Sequence, residues 1–333
     1  MSYTIYLKEI ARGERSARDL PFDAAKKLFG AMLDGGVPDL ELGAILVALR
    51  FKTESLTELL GFHAALDQRL TQLKTPDASI RPVVIPSYNG ARRQANLMPL
   101  LALLLKRIGV PVLVHGTLES EGRVATAYVL RELGILPQAN SRQAQEALQR
   151  DGLAFVPIGA LSSGLSNLLA LRSRIGLRSS AHTLAKLIDP FSAQGGGVRM
   201  VSVTHPAYAD KMKEFFAEQG NSGGGAALLM RGTEGEAFAN PKRRPQIDYF
   251  FEGRSATLFE AEHGSLTTLP NLPDDCDART TAQWIRETLD GAHPIPPPLI
   301  NQLACCLYAS GFCRDFTESK ALAALNSRMP LVA

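Results

Sequence analysis

The first seventy residues carry apolar positions at helical spacing, without strand-like alternation. This spacing predicts helices over residues 3–11, 21–33, 40–50 and 56–70. Asp19 and Pro21 are typical of a helix start, Pro38 opens the third helix, and Thr53 or Ser55 can cap the fourth. These elements predict a small all-α N-terminal domain over residues 1–75.

At Pro82 the pattern changes to short apolar runs separated by helical stretches. The runs at 83–85, 112–114, 154–156, 199–203 and 227–230 do not alternate, as is typical of parallel strands buried on both faces. Two further runs, 248–251 and 256–259, are candidates for antiparallel strands, and helices are predicted at 280–289, 299–309 and 316–325. The pattern predicts an α/β domain over 80–333 with a central, mostly parallel sheet, and residues 165–190 are a candidate to pack on the helical domain.

The composition is that of a soluble globular protein, with 45% hydrophobic and 21% charged residues among 333. It excludes disorder and coiled coil as the dominant state. The longest apolar run, residues 97–105, is too short to cross a membrane, and the N-terminus does not resemble a signal peptide. The four cysteines have neither zinc-ligand nor redox-pair spacing. We therefore expect a cytoplasmic protein with buried thiols, no metal site and no membrane partner.

The net charge of +3 is distributed unevenly along the chain. Residues 81–190 carry +7, whereas residues 1–80 carry −1 and the remainder carry −3. No Asp or Glu occurs in 81–118 or in 152–188, although both stretches contain several Arg and Lys residues. Acid-free basic segments of this kind favour the binding of phosphate groups.

The loops that follow the predicted strands form the candidate site, because ligands bind beyond the carboxyl ends of the strands in an open α/β sheet. The first loop contains a turn at 87–90 and then Arg92 and Arg93. The second begins with His115 and Gly116, and the loop after the last parallel strand spans residues 231–236.

Several of these segments resemble the anthranilate phosphoribosyltransferase family, and the resemblance extends over nearly the whole chain. It rests on Val-His-Gly at 114–116, Ile-Gly-Leu-Arg-Ser at 175–179 and Met-Arg-Gly-Thr-Glu-Gly at 230–235. Residues 86–92 and 180–187 are more similar to the YbiB-type branch of that family. The resemblance implies the nucleoside phosphorylase/phosphoribosyltransferase class III fold and a homodimer formed through the helical domain. For that branch it also implies nucleic-acid binding instead of tryptophan synthesis.

The positions that match the enzymes' donor site have lost much of its chemistry. The family's Gly-Thr-Gly-Gly-Asp loop, which wraps a pyrophosphate, falls on residues 86–90, where four of five residues differ in chemistry and Pro86 has no N–H. The magnesium-binding Asp-Glu pair falls on Ala237 and Phe238, which offer no oxygen ligand. The resemblance therefore implies a degenerate donor-site loop, made of Ser87, Tyr88, Asn89, Gly90, Asn96, His115 and Gly116.

On the acceptor side, the resemblance implies that the Arg that meets the carboxylate of an aromatic acid is retained as Arg178. Lys186 stands where the enzymes have Pro and adds a positive charge. Glu234 and Glu236 could hold a metal, but without paired spacing we interpret them as solvated loop carboxylates.

Two residues of the donor-site loop have alternative roles. Tyr88 could stack on a base or be buried in the loop. His115 is interpreted as a structural or orienting imidazole, because no Ser or Cys partner for nucleophilic catalysis is identifiable.

The candidate phosphate-binding cations lie in the acid-free segments and in the basic run 242–244. Arg174 and Arg178 would share one face if their segment is helical. Lys106 and Arg107 equally suit the C-terminal end of a helix, and the run 242–244 equally suits a solvated surface. The candidates are Arg92, Arg93, Lys106, Arg107, Arg172, Arg174, Arg178, Lys186, Lys242, Arg243 and Arg244.

These observations predict a nucleic-acid-binding protein on a phosphoribosyltransferase-like scaffold, which contacts the backbone of DNA or RNA with little sequence preference. No catalytic residue, metal or cofactor is assigned. The alternative is an enzyme, an anthranilate phosphoribosyltransferase-like glycosyltransferase or a nucleoside phosphorylase, that uses phosphoribosyl pyrophosphate and magnesium with an altered donor loop. A third interpretation is a pure interaction or assembly protein.

Overall fold

The structure is a computed structural model that describes residues 2–13, 16–220, 225–264 and 270–327. Its helices in chain order are α1 (Thr4–Ile10), α2 (Phe22–Leu33), α3 (Asp39–Lys52), α4 (Leu56–Asp67), α5 (Met98–Ile108), α6 (Thr126–Glu132), α7 (Ser141–Asp151), α8 (Ile158–Leu161), α9 (Ser163–Ala170), α10 (Arg172–Ile175), α11 (Ser180–Leu184), α12 (Pro206–Gly220), α13 (Ala278–Leu289), α14 (Pro297–Ala309) and α15 (Phe316–Asn326). The strands are β1 (Val83–Ser87), β2 (Val112–Gly116), β3 (Leu153–Pro157), β4 (Val198–Val203), β5 (Ala226–Arg231), β6 (Ile247–Phe251) and β7 (Arg254–Phe259).

The chain divides into two compact units. The helical unit comprises Met1–Thr71 and Ile158–Ile188, and the sheet unit comprises Gln72–Pro157 and Asp189–Ala333. This division assigns 158–188 to the helical unit, whereas the sequence analysis continued the α/β domain from 80 to 333 and only allowed 165–190 to pack on the helices.

The helical unit is ordered by local capping and close helix packing. Ser55 accepts a hydrogen bond from the N–H of Glu58, and the Glu58 carboxylate accepts one from the N–H of Ser55, which completes a capping box at the start of α4. Helices α2 and α4 pack with Phe29 stacked on Phe62, their ring centroids 5.0 Å apart. A Cβ at Gly61 would lie 2.6 Å from a backbone oxygen of α2, so only glycine permits this approach.

The sheet unit is built on a sheet of strand order β3-β2-β1-β4-β5-β6-β7. The strands from β3 to β5 pair in parallel, whereas β6 and β7 are antiparallel. Strands β1 and β2 are buried over their whole length, which explains why their residues do not alternate. The predicted fold class, a small helical domain with an α/β domain, is confirmed.

Two local features differ from the sequence analysis. Helix α7 was not predicted, because only three of its residues are buried and its composition is strongly polar. Arg174 and Arg178 do not share a helical face, because α10 ends after Ile175 at Gly176, which adopts a left-handed φ of 75°.

No helix within the described residues is long and apolar enough to cross a membrane.

Candidate functional site

The turn that follows β1 directs four backbone N–H groups at two side chains. Asn89 and Gly90 donate to one oxygen of Glu236, with N···O distances of 2.7 and 2.6 Å. Arg93 and Gln94 donate to one oxygen of Glu234, at 2.7 and 2.9 Å. We call residues 88–94 the amide turn. Its N–H groups form a concave anion-binding arrangement that is occupied by carboxylates of the chain itself.

Both carboxylates come from residues 232–236, the acidic turn that follows β5. Glu236 is only 1% exposed, and its second oxygen has no hydrogen-bond partner within the described residues. Glu234 has a φ of 51°, a strained conformation for a residue with a side chain, and Gly235 follows with a φ of 90°. The interpretation of Glu236 as a solvated loop carboxylate is therefore wrong, because the sheet brings its turn against the amide turn.

A buried polar pair lies behind the amide turn. The Tyr88 hydroxyl lies 2.7 Å from Nδ1 of His115, and both side chains are buried. Burial lowers the pKa of His115 to about 3, so its imidazole is neutral at pH 7. Burial, and to a lesser extent the charge of Glu236, raises the pKa of Tyr88 well above its usual value. The phenol therefore stays protonated and can donate to Nδ1.

Two other polar residues of the donor-site loop form a buried hydrogen-bonded group with Thr126. Ser87 and Asn96 donate to the hydroxyl of Thr126 at 2.7 and 2.5 Å. A Cβ at Gly116 would lie 1.9 Å from the carbonyl oxygen of Ser87, so the neighbouring strand ends require glycine there. These contacts engage Ser87 and Asn96, whereas the buried Nε2 of His115 has no hydrogen-bond partner within the described residues.

The residues present do not fit a magnesium ion. Ala237 and Phe238 are buried and apolar. One oxygen each of Glu234 and Glu236 is engaged by backbone N–H groups. The described residues contain no group of three or more His, Cys, Asp or Glu side chains that could hold a metal.

A cavity of about 740 Å³ opens at the carboxyl ends of β4 and β5. Val203 and Arg231, the last residues of these strands, line it, and Gln94 and Glu234 connect it to the amide turn. We call it the cationic cavity, because five basic side chains line it against three acidic ones. The basic residues are Lys213, Arg231, Lys242, Arg243 and Arg244, and the acidic residues are Glu234, Asp248 and Glu262.

Two of the cavity's acids are neutralised by ion pairs within its wall. Lys213 lies 3.3 Å from Asp248, and Arg244 lies 3.3 Å from Glu262. The guanidinium of Arg244 also donates to a backbone carbonyl and lies over the ring of Phe259. These pairs engage two of the five basic residues of the cavity.

The other cations of the cavity are less constrained. Arg243 donates to the carbonyl oxygen of Gly264 at 2.5 Å. Within the described residues, the side chains of Arg231 and Lys242 have neither a hydrogen bond nor an ion pair. The run 242–244 was predicted from the sequence as phosphate-binding, whereas Arg231 was not. Its position at the end of the last parallel strand was the available signal.

The other predicted cations do not gather at the cavity. Arg92 and Arg93 are exposed on the amide turn at the carboxyl edge of the sheet. Lys106 and Arg107 end α5 at the amino edge, and Arg107 donates to the carbonyl oxygen of Asn326. Burial lowers the pKa of Arg107.

Four predicted cations belong to the helical unit. Arg174 forms an exposed contact with Asp39 at 3.7 Å. Burial, and then the charges of Arg178, Arg172 and Lys186, lower the pKa of His182 to about 4. The predicted cations therefore lie on both compact units and, within the sheet unit, at opposite edges of the sheet.

The N-terminal helices match a known family model. Residues 5–69 match the helical bundle domain of the glycosyl transferase family. The chain is also 47% identical over 98% of its length to the uncharacterized protein YbiB of Escherichia coli, 99% of which is covered. It is 24% identical over 97% of its length to anthranilate phosphoribosyltransferase of Methylobacterium nodulans, 93% of which is covered.

Solved anthranilate phosphoribosyltransferases share the fold. The enzyme from Thermus thermophilus has a TM-score of 0.71 at 20% identity, over 93% of this chain and 92% of the enzyme. The enzyme from Saccharomyces cerevisiae, solved in complex with PRPP and Mg, has a TM-score of 0.71 at 14% identity. The match covers 98% of this chain and 93% of the yeast enzyme. The fold is thus that of the phosphoribosyltransferases. The chain belongs to the YbiB-type branch of the anthranilate phosphoribosyltransferase-like family.

These comparisons correct the function predicted from charge. The main prediction of a nucleic-acid-binding function is wrong: the matching model is that of a glycosyl transferase family, and the named relatives are anthranilate phosphoribosyltransferases. The transferase alternative fits better. The prediction treated the acid-free segments as one phosphate-binding surface, whereas within the sheet unit Arg92 and Arg93 lie at the edge of the sheet opposite to Lys106 and Arg107.

Proposed function

We propose that this protein is a pentosyl transferase that binds a phosphorylated pentose donor in the cationic cavity. The proposal rests on the position of the cationic cavity. It lies at the carboxyl ends of parallel strands, where α/β proteins bind their ligands. Its family supports the reaction class, because the named relatives are phosphoribosyltransferases.

The charge of the cavity suits a phosphorylated ligand. Arg231 presents a planar guanidinium that can pair with two phosphate oxygens, and Lys242 offers a second mobile cation. Both would stabilise the negative charge that develops on a leaving pyrophosphate. The amide turn is a poorer candidate for the donor phosphates, because its N–H groups already bind Glu234 and Glu236.

The proposed reaction substitutes at the anomeric carbon of the pentose. The bond from C1 to the pyrophosphate oxygen breaks, and the pyrophosphate leaves with the electron pair. A nitrogen of the acceptor forms the new bond to C1 and loses its proton to solvent. Magnesium is included in the assay because the yeast neighbour was solved with PRPP and Mg, although the described side chains offer no site for it.

The experiment combines phosphoribosyl pyrophosphate, magnesium and a panel of aromatic amino acids and nitrogen bases, anthranilate included. Released pyrophosphate and the ribosylated product are measured together. We expect turnover by the wild type and at least about a tenfold loss in Arg231→Ala, the size of one strong charge-assisted contact. Donor affinity, measured by calorimetry without acceptor, should fall in parallel.

Arg142→Ala is the matched control. Arg142 is an exposed arginine of α7, which precedes β3 at the far edge of the sheet from the cavity. It should retain wild-type affinity and turnover. Absence of product with every acceptor, or equal loss in both arginine variants, would reject the proposal.

A further inference from the structure

A half-buried cluster of one arginine and three aromatic side chains lies at the amino edge of the sheet, opposite to the cationic cavity. It consists of Arg81, which precedes β1, Tyr249 and Phe251 of β6, and Tyr308 of α14. We call it the amino-edge cluster. We infer that it is a phosphate-binding site, in which Arg81 and the hydroxyls of Tyr249 and Tyr308 contact the phosphate oxygens. The inference does not depend on the transferase proposal.

The cluster is a continuous series of ring contacts. The guanidinium carbon of Arg81 lies 4.2 Å from the ring centroid of Phe251. Phe251 stacks on Tyr249, two positions earlier on the same face of β6, with the ring centroids 6.4 Å apart. Tyr249 meets Tyr308 edge to face, with the centroids 5.3 Å apart. A cation and two phenols are therefore brought together on one surface.

The polar groups of the cluster are donors that the chain leaves unused. Within the described residues, the guanidinium of Arg81 has neither a hydrogen bond nor an ion pair, and the hydroxyls of Tyr249 and Tyr308 have no hydrogen-bond partner. None of these polar atoms is sealed off from solvent. A cation and two phenols that share a surface without an acceptor are complementary to an oxygen-rich anion.

The surrounding backbone holds Arg81 in place. Its N–H donates to the carbonyl oxygen of Ser310, the residue that ends α14, at 2.9 Å. A Cβ at Gly311 would lie 3.6 Å from Nη1 of Arg81, so the cation lies beside the C-terminal end of α14, where positive charge is favourable. The contact with the ring of Phe251 is not a hydrogen bond, so the guanidinium N–H groups stay available to a ligand.

The electrostatics of the cluster favour an anion. Burial raises the pKa of Tyr249 to about 12, and the charge of Arg81 offsets part of this increase. The phenol is therefore protonated at neutral pH and can donate its hydrogen bond. Glu252, on the exposed β6–β7 turn, also acts on Tyr249, but within the described residues it forms no ion pair with Arg81. An exposed carboxylate of this kind is a weak competitor for a bound anion.

The number and origin of the donors suit phosphate better than a carboxylate. One guanidinium can pair with two oxygens of the same group, and each phenol can serve one more. Phosphate presents its oxygens in several directions, whereas the two oxygens of a carboxylate lie in one plane. The donors of the amino-edge cluster come from three separate elements of the fold, so they reach an ion from different sides.

The experiment is a titration with inorganic phosphate, followed by NMR of protein labelled with carbon-13 at the ζ carbon of tyrosine. Phosphate replaces chloride at constant ionic strength and neutral pH, and Tyr249→Phe and Tyr308→Phe assign the two resonances. We expect both resonances to shift saturably with a common dissociation constant of about 10 mM or below. Among the described residues, no tyrosine lines the cationic cavity, so phosphate bound there is not detected.

Three comparisons localise the binding. Arg81→Gln should raise the dissociation constant at least about tenfold, because it removes both the charge and the planar fork. Arg131→Gln is the matched control, because Arg131 lies over the ring of Tyr128 without a second phenol, and it should leave the titration unchanged. Glu252→Gln should tighten binding about twofold, since it removes a negative charge near the Tyr249 hydroxyl.

The inference would be overturned if Tyr249 and Tyr308 showed no saturable shift in the wild type. The same dissociation constant in Arg81→Gln, or the same curve for the resonance of Tyr128, would overturn it as well. If Arg81→Gln does not fold, Tyr249→Phe takes its place: loss of one donor should weaken binding about threefold at the Tyr308 resonance, and unchanged affinity would reject the site. Since no sugar donor, acceptor or turnover is involved, these results are independent of the transferase assay.

Discussion

Replacing His115 by Asn should make the sheet unit less sensitive to acid. The folded protein protonates His115 only near pH 3, whereas the unfolded chain does so near its ordinary pKa of about 6.5. Because the folded-state pKa is the lower one, the stabilisation is complete above pH 6.5 and is lost as the pH falls toward 3. Each pH unit in this window costs the folded state about 1.4 kcal/mol. At pH 4.5, two units below 6.5, the loss from this one residue is about 3 kcal/mol.

The assay is urea unfolding at pH 7.0 and pH 4.5, followed by tryptophan fluorescence. Trp284 is the single tryptophan of the chain and is buried in the sheet unit, so its signal reports the unit that contains His115. The free energy of unfolding of the wild type should fall by about 3 kcal/mol more than that of His115→Asn between the two pH values. Contributions from all other titrating groups are common to both proteins and cancel.

His263→Asn provides a control, because His263 is an exposed histidine of the same unit. Its pH dependence should equal that of the wild type. If His115→Asn also loses as much stability as the wild type on acidification, the imidazole is not held neutral by burial, and the structure of the Tyr88–His115 pair would be wrong.

Three further variants test other contacts. Glu58→Ala should destabilise the helical unit by about 3 kcal/mol, because it leaves the buried Lys52 ammonium without one of its two carboxylate partners; unchanged hydrogen exchange in α4 would contradict this. Gln302→Leu should cost about 2 kcal/mol in urea unfolding, since the Gln302 amide bonds two buried backbone groups; a loss below about 0.5 kcal/mol would count against it. The homodimer implied by family resemblance stays a prediction. Phe51→Glu, at a side chain 79% exposed on the helical unit, should yield a monomer by light scattering, and a monomeric wild type would refute the dimer.

Local patterns were sufficient for most of the fold. Helical periodicity, proline starts and a candidate cap at Thr53 or Ser55 predicted α2 to α4, because these signals depend on residues within one or two turns of each other. The non-alternating runs predicted the parallel strands, because burial on both faces removes the need for polar positions. Helix α7 was not predicted from the sequence, because it buries only three small or medium side chains.

The candidate site was predicted in part. The loops after β1, β2 and β5 were singled out because ligands bind beyond the carboxyl ends of parallel strands, and the sequence alone shows Ala237 and Phe238 where the resemblance implies a magnesium-binding pair. The cationic cavity could not be predicted from the sequence. Its basic residues, Arg231, Lys213 and the run 242–244, meet only after β5, α12 and the β5–β6 connection have packed together.

The sequence by itself determined most of the element types, the fold class and which residues stand in the donor loop, since each depends on residue identity and short-range spacing. Only the tertiary structure decided what replaced that chemistry. Glu236 and Asn89 are 147 positions apart, on turns that follow β5 and β1 with β4 between them. No local pattern distinguishes a carboxylate in solvent from one buried on backbone N–H groups, because the difference in burial arises only when the sheet assembles.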